Sequence, residues 1–480
     1  MSEPEVSPSH SIDEVAEGNE VMEKRARLEG TTQETAKGQT PSWQPLLPNL
    51  LRVNGAARRS GQTRFTALLH HVDVAALERA FKRQRRGASP GVDGVTVEEY
   101  EPQLEENLQR LHARIHSGQY WPKPVRRVHI PKADGGQRGL GLPALEDKIV
   151  QSAVAEVLNA VYEADFYGFS YGFRPGRSPH MALETLDRAL MTQRVNWVLD
   201  CDIRTFFDSV DHEQLVRMLG QRIADRRILR LVRRWLKAGI LEGGEWVEVD
   251  RGTPQGSGIS PLLANVFLHY CFDAWIHQWR QRHARGQIVV VRYADDALIG
   301  AEYESDARKL LEALKERLAE FGLELNESKT RLIEFGRFAA ERRAKAGLRR
   351  PQTFNFLGFT HYCGQARSGK FTAKRKTQAQ RMTRKLKELR VEMKKRMHTE
   401  VSAQHAWLSQ VLRGHDQYYG VIFNGHALGR FHQLVTRQWA HTLRRRSRKS
   451  KLNWEKFNKM LAAHPLPQPT IHQSWRSAAG

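Results

Sequence analysis

The pattern of apolar and polar positions changes character several times along this chain of 480 residues. Ile288 to Tyr293 is an apolar, β-branched run, Ala294-Asp295-Asp296 interrupts it, and Ala297 to Ala301 is apolar again; this predicts a tight hairpin with two carboxylates at its tip. Val195 to Ile203 alternates and predicts a strand on which Asp200 and Asp202 share a face, with Asp202 at its end. Asp211, with Gln214 three residues on, predicts the N-cap of a helix through Leu215, Met218 and Leu219. Ser305 is expected to cap a second helix, whose stripe of Leu310, Leu311, Leu314, Leu318 and Phe321 is core packing and whose stop is Gly322.

Upstream, Thr66 to Phe81 has helical spacing, ended by Arg85 to Gly87. Val125 to Pro143 reads as two strands around an Asp134-Gly135-Gly136 turn flanked by Lys132 and Arg138. Gly252 to Pro261 is a Gly/Pro/Ser turn opening a helix from Leu262 to Trp275, and Phe354 to Tyr362 reads as a short hairpin. Beyond Gly369, Lys374 to Arg396 carries 11 basic and 2 acidic residues around a thin stripe of Met382, Leu386, Leu389 and Met393, which predicts a basic amphipathic helix. Two more helical stretches follow, Trp407 to Val421 and Phe431 to Arg448. Residues 1 to about 50 carry 9 acidic and 4 basic residues with little periodicity, so a disordered leader is expected over 1–55.

Charge narrows the function. Seventy-six Lys and Arg against 53 Asp and Glu give +23, and residues 371–480 alone hold 23 basic and 5 acidic residues. The plainest use of such an excess is to hold a polyanion by displacing its counterions, and nucleic acid is the first candidate. The 3 cysteines are far apart, which excludes a disulfide framework or paired-cysteine zinc motif and fits a reducing cytoplasm. No run reaches the ~18 apolar residues of a membrane span and no signal-peptide pattern opens the chain, so a soluble, intracellular protein with no membrane partner is expected. At the hairpin, two adjacent carboxylates in apolar surroundings call for a cation, and oxygen ligands suit Mg²⁺. With Asp202 on a neighbouring strand, two Mg²⁺ ions become conceivable, the arrangement that clamps attacking and leaving oxygens in phosphoryl transfer. The competing reading, that these aspartates are caps and turn residues, is accepted for Asp211.

Several motifs then occur in order: ASPGVDGVT (Ala88 to Thr96), IPKADGGQRGLGLPALEDKIVQ (Ile130 to Gln151), YGFRPGRS (Tyr171 to Ser178), DIRTFFD (Asp202 to Asp208), GTPQGSGISPLLAN (Gly252 to Asn265), YADD (Tyr293 to Asp296), LNESKT (Leu325 to Thr330) and FNFLGF (Phe354 to Phe359). Over residues 60 to 475 the chain resembles the reverse transcriptase and maturase proteins encoded by group II introns. That resemblance implies an α+β right-hand polymerase: fingers and palm over 56–370, a helical thumb and maturase domain over 371–475, and a tail at 476–480. It implies that Asp202, Asp295 and Asp296 are the catalytic, metal-binding triad, with Ile203 beside them in the metal set. Lys132 and Arg138 would take triphosphate charge, Gln255 would lie beside the nascent base pair, and Lys329 would reach phosphates or the metal-bound carboxylates. Phe206 would block a ribose 2′-hydroxyl, with Phe207 in the core; Thr205 stands where the family has glycine, and Gly139 where it often has proline.

Arg444, Arg445, Arg446, Arg448 and Lys449 are the expected contacts to intron RNA. Arg413, Gly414, Tyr418 and Tyr419 resemble the maturase region, the tyrosines either stacking on RNA or buried in the bundle. The chain is expected to lack the family's C-terminal nuclease domain. The implied function is RNA-directed DNA synthesis by target-primed reverse transcription together with assistance to intron splicing. Its partners would be group II intron RNA, an RNA template, a DNA primer and deoxynucleoside triphosphates, in a bacterial ribonucleoprotein with a homodimer left open. Two alternatives stand: a domesticated relative acting in host defence or DNA repair, and a non-catalytic splicing factor.

Overall fold

The computed structural model describes residues 47–472, except 132–135, 243–244, 249, 254–255 and 448–451. Helix α1 (Pro48–Arg59), α2 (Val74–Lys82) and α3 (Leu104–His116) lead into the antiparallel hairpin of β1 (Val125–Pro131) and β2 (Gln137–Leu142), and then the long helix α4 (Leu145–Tyr162). Asp73 caps α2 by accepting from the Ala76 amide at 2.7 Å. A Thr96–Glu99 capping box opens the short helix Val97–Tyr100. Leu50, Val53 and Ala57 of α1 are buried, and Asn54 donates to the Ala160 carbonyl of α4 at 2.9 Å. The leader expected over 1–55 therefore ends earlier: residues 48–55 are the first turns of a packed helix, whose apolar face was too short to stand out from the polar run before it. The rest of that stretch, residues 1–46, lies outside the described residues, as do the tail residues 476–480.

The middle of the chain adds α5 (Pro179–Thr192), β3 (Trp197–Asp202), α6 (His212–Gly220), α7 (Arg226–Leu236), β4 (Ile240–Glu242) and β5 (Glu245–Val247). Then come α8 (Ser260–Leu268), a π turn at His269–Asp273, α9 (Ala274–Arg282), β6 (Ile288–Tyr293), β7 (Asp296–Ala301), α10 (Glu304–Ala319) and β8 (Arg331–Glu334). Asp211 caps α6 through the Gln214 amide as expected. Ser305 does not cap α10; the helix starts at Glu304 with Tyr303 at its N-cap, and the carboxylates of Glu304 and Asp306 serve the first turn.

The central sheet runs β6-β7-β3-β8, every neighbour antiparallel. Leu199, Cys201 and Ile299 face a core with Leu310, Leu314 and Leu318 of α10. Val198, Val291, Leu298 and Ile333 face the opposite way, onto Phe354, Phe356 and Phe359. Both faces are thus covered near Val198, while the Asp202 end of the second face stays open. A second sheet, β2-β1-β4-β5, stands beside it.

The expected hairpin at Phe354 to Tyr362 is present as β9 (Phe354–Phe356) and β10 (Phe359–Gln365), and it gains a third strand, β11 (Phe371–Thr377). The basic helix expected from Lys374 therefore begins later, at Ala379. Seven rungs with β10 hold Phe371 to Thr377 as strand, and Thr372, Ala373, Arg375 and Thr377 are buried there. Four helices follow: α11 (Ala379–Lys395), α12 (Val401–Tyr419), α13 (Gly425–Arg444) and α14 (Trp454–Ala463). They share a core of Leu389, Met393, Leu408, Leu412, Phe431, Trp439 and Phe457. Tyr418 donates to the Leu357 carbonyl at 2.8 Å and the Asn424 side chain accepts from the Thr377 amide at 2.7 Å, so the tyrosine pair packs between bundle and hairpin. Among the described residues, no helix is long and apolar enough to cross a membrane.

Arg222 generates a stability prediction. Its buried guanidinium donates to the carbonyls of Ala57, Ser60 and Thr63 at 3.0, 2.8 and 3.1 Å and pairs with Asp165 at 2.9 Å, sealing the end of α1. Arg222→Ala should cost about 3–5 kcal/mol, because it strands Asp165 as well as three carbonyls. An unfolding midpoint equal to that of the parent protein would refute this.

Candidate active site

The site is assembled by strand register. Asp202 at the end of β3 is the rung partner of Asp296 at the start of β7, and Tyr293 of β6 is the next partner across. Residues facing each other on an antiparallel rung project to the same side, so the two carboxylates meet on the open face. Asp295 lies between the strands, in a turn made possible by Ala294, whose backbone is left-handed at φ 57°. Asp202 and Asp295 line an open cavity of 850 Å³. Its other walls include Arg127, His129 and Gln137 of the β1–β2 hairpin, Thr205 to Asp208 after β3, Gly252 and Thr253, and Asn326 and Lys329.

The electrostatics are those of a cluster short of positive charge. The surrounding protein and then the like charges of Asp295, Asp202 and Asp200 push the Asp296 carboxyl up to about 7. Its side chain is exposed, so the repulsion is the part that a cation would relieve. Asp200, one rung behind Asp202, is raised to about 6 by burial, offset by Arg331 at 3.7 Å. Lys329 stands 3.5 Å from Asp202, and Arg381 of α11 adds a further positive charge in reach of Asp296. Among the described residues, no three His, Cys, Asp or Glu side chains are already gathered as a metal cage. Mg²⁺ takes one or two carboxylates and fills its octahedron with waters and substrate phosphates. The donor set is all oxygen and carries excess negative charge; it fits the ion.

The expected burial is reversed: Phe206 is 2% exposed and in the core, its ring edge-on to Phe207 and Phe267 at centroid distances of 5.3 and 6.2 Å, while Phe207, expected in the core, is half-buried at the cavity. Thr205 holds φ 43° and ψ 39°, a left-handed conformation that is costly for a β-branched residue and natural for the glycine it replaces. Ile203 is buried and bridges Leu325, while the Asn326 amide donates to the Asp202 carbonyl at 2.7 Å. Arg138 is in β2, opposite Ile130. Gly139 leaves room for Arg127, whose Nε would sit 3.1 Å from any added Cβ. Lys132, Gln255, Arg448 and Lys449 lie outside the described residues.

The C-terminal arginines differ among themselves. Arg444 stacks over Trp454 at 4.9 Å and Arg446 donates to the Thr399 carbonyl at 2.8 Å, so both help to close the bundle; Arg445 is exposed. A row on α7 was not singled out from the sequence. Arg226, Arg230, Arg233 and Lys237 lie at helical spacing along and just past α7, all exposed. Lys387, Arg390 and Lys394 form a similar exposed row on α11. On α11 the cationic face was legible from the Met382, Leu386, Leu389 and Met393 stripe; on α7 the spacing was visible, but nothing separated those cations from an ordinary solvated surface.

Comparison with known proteins gives the chemistry a precedent. Residues 130–361 match the reverse transcriptase (RNA-dependent DNA polymerase) family. Protein YkfC of Escherichia coli K12 is 39% identical over 220 residues, covering 42% of this chain and 58% of that protein. The group II intron-encoded protein LtrA of Lactococcus lactis is 33% identical over 245 residues, 50% of this chain and 40% of that protein. Nuclear intron maturase 3 of Arabidopsis thaliana mitochondria is 31% identical over 132 residues, 27% of this chain and 18% of that protein. The alignments thus span less than two thirds of these relatives' own lengths.

The raised Asp296 has a thermodynamic consequence. Its folded pKa lies above that of an unfolded aspartate, so the folded state binds the extra proton and loses stability as pH rises from about 4 to about 7. Asp296→Asn should therefore raise the unfolding midpoint of the metal-free protein at pH 8 and leave it unchanged near pH 3.5. After screening by cleft water the gain is on the order of 1 kcal/mol. A variant no more stable than the parent at pH 8 would show that the carboxylates do not repel.

Proposed function

We propose, for a chain that carries a reverse transcriptase domain and belongs with the reverse transcriptases and maturases of group II introns, that it copies RNA into DNA at Asp202, Asp295 and Asp296 and binds the intron RNA it helps to splice. The observation that carries the polymerase reading is the Asp202–Asp296 rung beside Asp295, three carboxylates at the open end of an otherwise covered sheet. We read that sheet as the palm, the region from α1 to the β1–β2 hairpin as the fingers, and the four C-terminal helices as thumb and maturase domain. A decayed splicing factor has no physical reason to keep a mutually repelling triad.

In this reading the three aspartates would hold two Mg²⁺ ions, which would supply the positive charge that the transferring phosphoryl group and the primer oxygen require. The protein's own part is positional. The β1–β2 hairpin, with Lys132, Arg138 and Arg127, closes over the triphosphate. The half-buried Phe207, with the buried Phe206 ring edge-on to it, would give a 2′-hydroxyl an aromatic wall, and Gln255 would serve the nascent pair. Lys329, 3.5 Å from Asp202, orients that carboxylate. The rows Arg226–Lys237 and Lys387–Lys394, with Arg445, offer phosphates an exposed set of cations that the fold does not consume.

Asp202→Asn and Asp295→Asn should each lower primer extension by at least about a thousandfold while RNA binding stays within about twofold, since each removes a metal ligand and little phosphate-contact surface. Near-parental extension in Mg²⁺ by either variant would sink the assignment. Replacing Lys387, Arg390 and Lys394 together by Gln should flatten the log–log salt dependence of RNA affinity by roughly 0.7 to 0.9 per lost phosphate contact, and should impair intron splicing more than extension of a short annealed primer. Equal losses with an unchanged slope would mean that the row is a solvated surface.

A further inference from the structure

The turn that carries Asp295 is held from behind as well as by its two strands. Arg292, two residues before Ala294, points away from the cleft and is 1% exposed. Its Nε and one Nη donate to the two oxygens of Asp273 at 2.7 and 2.5 Å. The remaining N–H groups reach the Ser170 hydroxyl at 2.7 Å, the Asn265 side-chain oxygen at 3.0 Å and the Ala294 carbonyl at 2.8 Å. All five donors of the guanidinium are thereby used. The Asn265 amide in turn donates to the Gly172 carbonyl at 2.7 Å, and Gly172 packs so closely under the turn that an added Cβ would overlap the Ala294 amide.

The helix behind the sheet is adapted to this network. Asn265 and Asp273 are eight positions apart, which on a regular α-helix would set them about 80° apart around the axis. The π turn at His269–Asp273 absorbs one extra residue and brings them close to one line, so both face Arg292. We infer that Arg292 is a positioning residue of the active site: tied to Asp273 and Asn265, it fixes the Ala294 carbonyl, and with Gly172 it holds the left-handed turn that sets Asp295 and Asp296 against Asp202. Its neighbours Val290 and Val291 are anchored by apolar packing, and a buried ion pair is an expensive substitute unless its directionality is needed. Here that directionality ends on the turn, where mutual repulsion would otherwise splay the carboxylates. The inference rests on reading the three aspartates as the metal site.

The test uses the full chain with Arg292→Lys and Gly172→Ala, and Asp295→Asn as reference. Lysine keeps a charge for Asp273 but cannot also span to the Ala294 carbonyl; the alanine leaves the guanidinium network in place and pushes a methyl group into the turn. Two quantities are read: the rise in melting temperature on adding Mg²⁺ alone, and kcat against KM for deoxynucleotide on an annealed primer. Both variants should show a smaller Mg²⁺-dependent rise and a kcat lower by roughly a hundredfold, with KM within about twofold. Folded Arg292→Lys with a parental Mg²⁺ rise and parental kcat would overturn the inference, as would Gly172→Ala with the same result if the lysine variant fails to fold. If Asp295→Asn itself keeps the Mg²⁺ rise and the extension activity, the metal-site reading fails, and the positioning role with it.

Discussion

Asp202, Asp295 and Asp296 repel one another, and much of the surrounding architecture consists of what holds them together regardless. The Asp202–Asp296 rung fixes two of them by backbone pairing alone. Apolar packing of Leu199, Cys201, Ala297 and Ile299 on the helix side keeps that pairing from slipping, because a one-residue slip would turn the aspartates into the core. The third carboxylate depends on a turn with an unfavourable backbone, supported from below by Gly172 and Arg292. Nearby cations, Lys329 at Asp202 and Arg331 at Asp200, temper the repulsion without cancelling it. The residual negative charge is what a divalent ion would be bound by.

How much of this could be read from the sequence depended on whether a signal was local. Strand periodicity placed β3, β6 and β7 to within a residue or two, and Asp211 was legible as a cap because N-caps are local hydrogen bonds. The gathering of Asp202, Asp295 and Asp296 was legible because carboxylates that interrupt apolar runs are rare. Arg292 was not, since its partners Ser170, Asn265 and Asp273 are far away in sequence and nothing about an arginine in a strand announces that it is buried. The strand β11 was hidden for a similar reason. Lys374, Arg375 and Lys376 read as the opening of a basic helix, and only pairing with β10 shows that Arg375 turns inward beside Asp187 while Lys376 turns out. At Ser305 the residue type suggested a cap, but Tyr303 had already taken that position and the acidic first turn made a capping hydroxyl unnecessary.

The positive charge follows a different logic. An arginine that stacks on Trp454 or donates to the Thr399 carbonyl contributes to folding and has less left to offer a phosphate. The cluster at Arg444 to Arg446 is the densest in the sequence, yet two of its members are committed to the bundle. Sparser rows on α7 and α11 keep their guanidinium and ammonium groups in water, where each contact made with a polyanion releases counterions at little structural cost. Density of basic residues along the chain is therefore a weaker guide to an RNA-binding face than exposure without a protein partner.

Arg381 joins the two halves of this charge distribution. It lies in the first turn of α11, converges with Tyr419 on the tight turn at Gly358, and its field lowers the pKa of Asp296. One guanidinium of a C-terminal helix thus acts electrostatically on a carboxylate of the central sheet. A nucleic-acid phosphate that draws Arg381 away leaves Asp296 with less positive charge nearby, which strengthens the demand for a metal ion. A metal ion that neutralises the carboxylates frees Arg381 for the phosphate. By thermodynamic reciprocity a cation at Asp296 and a phosphate at Arg381 would each favour the other, because one guanidinium cannot serve both.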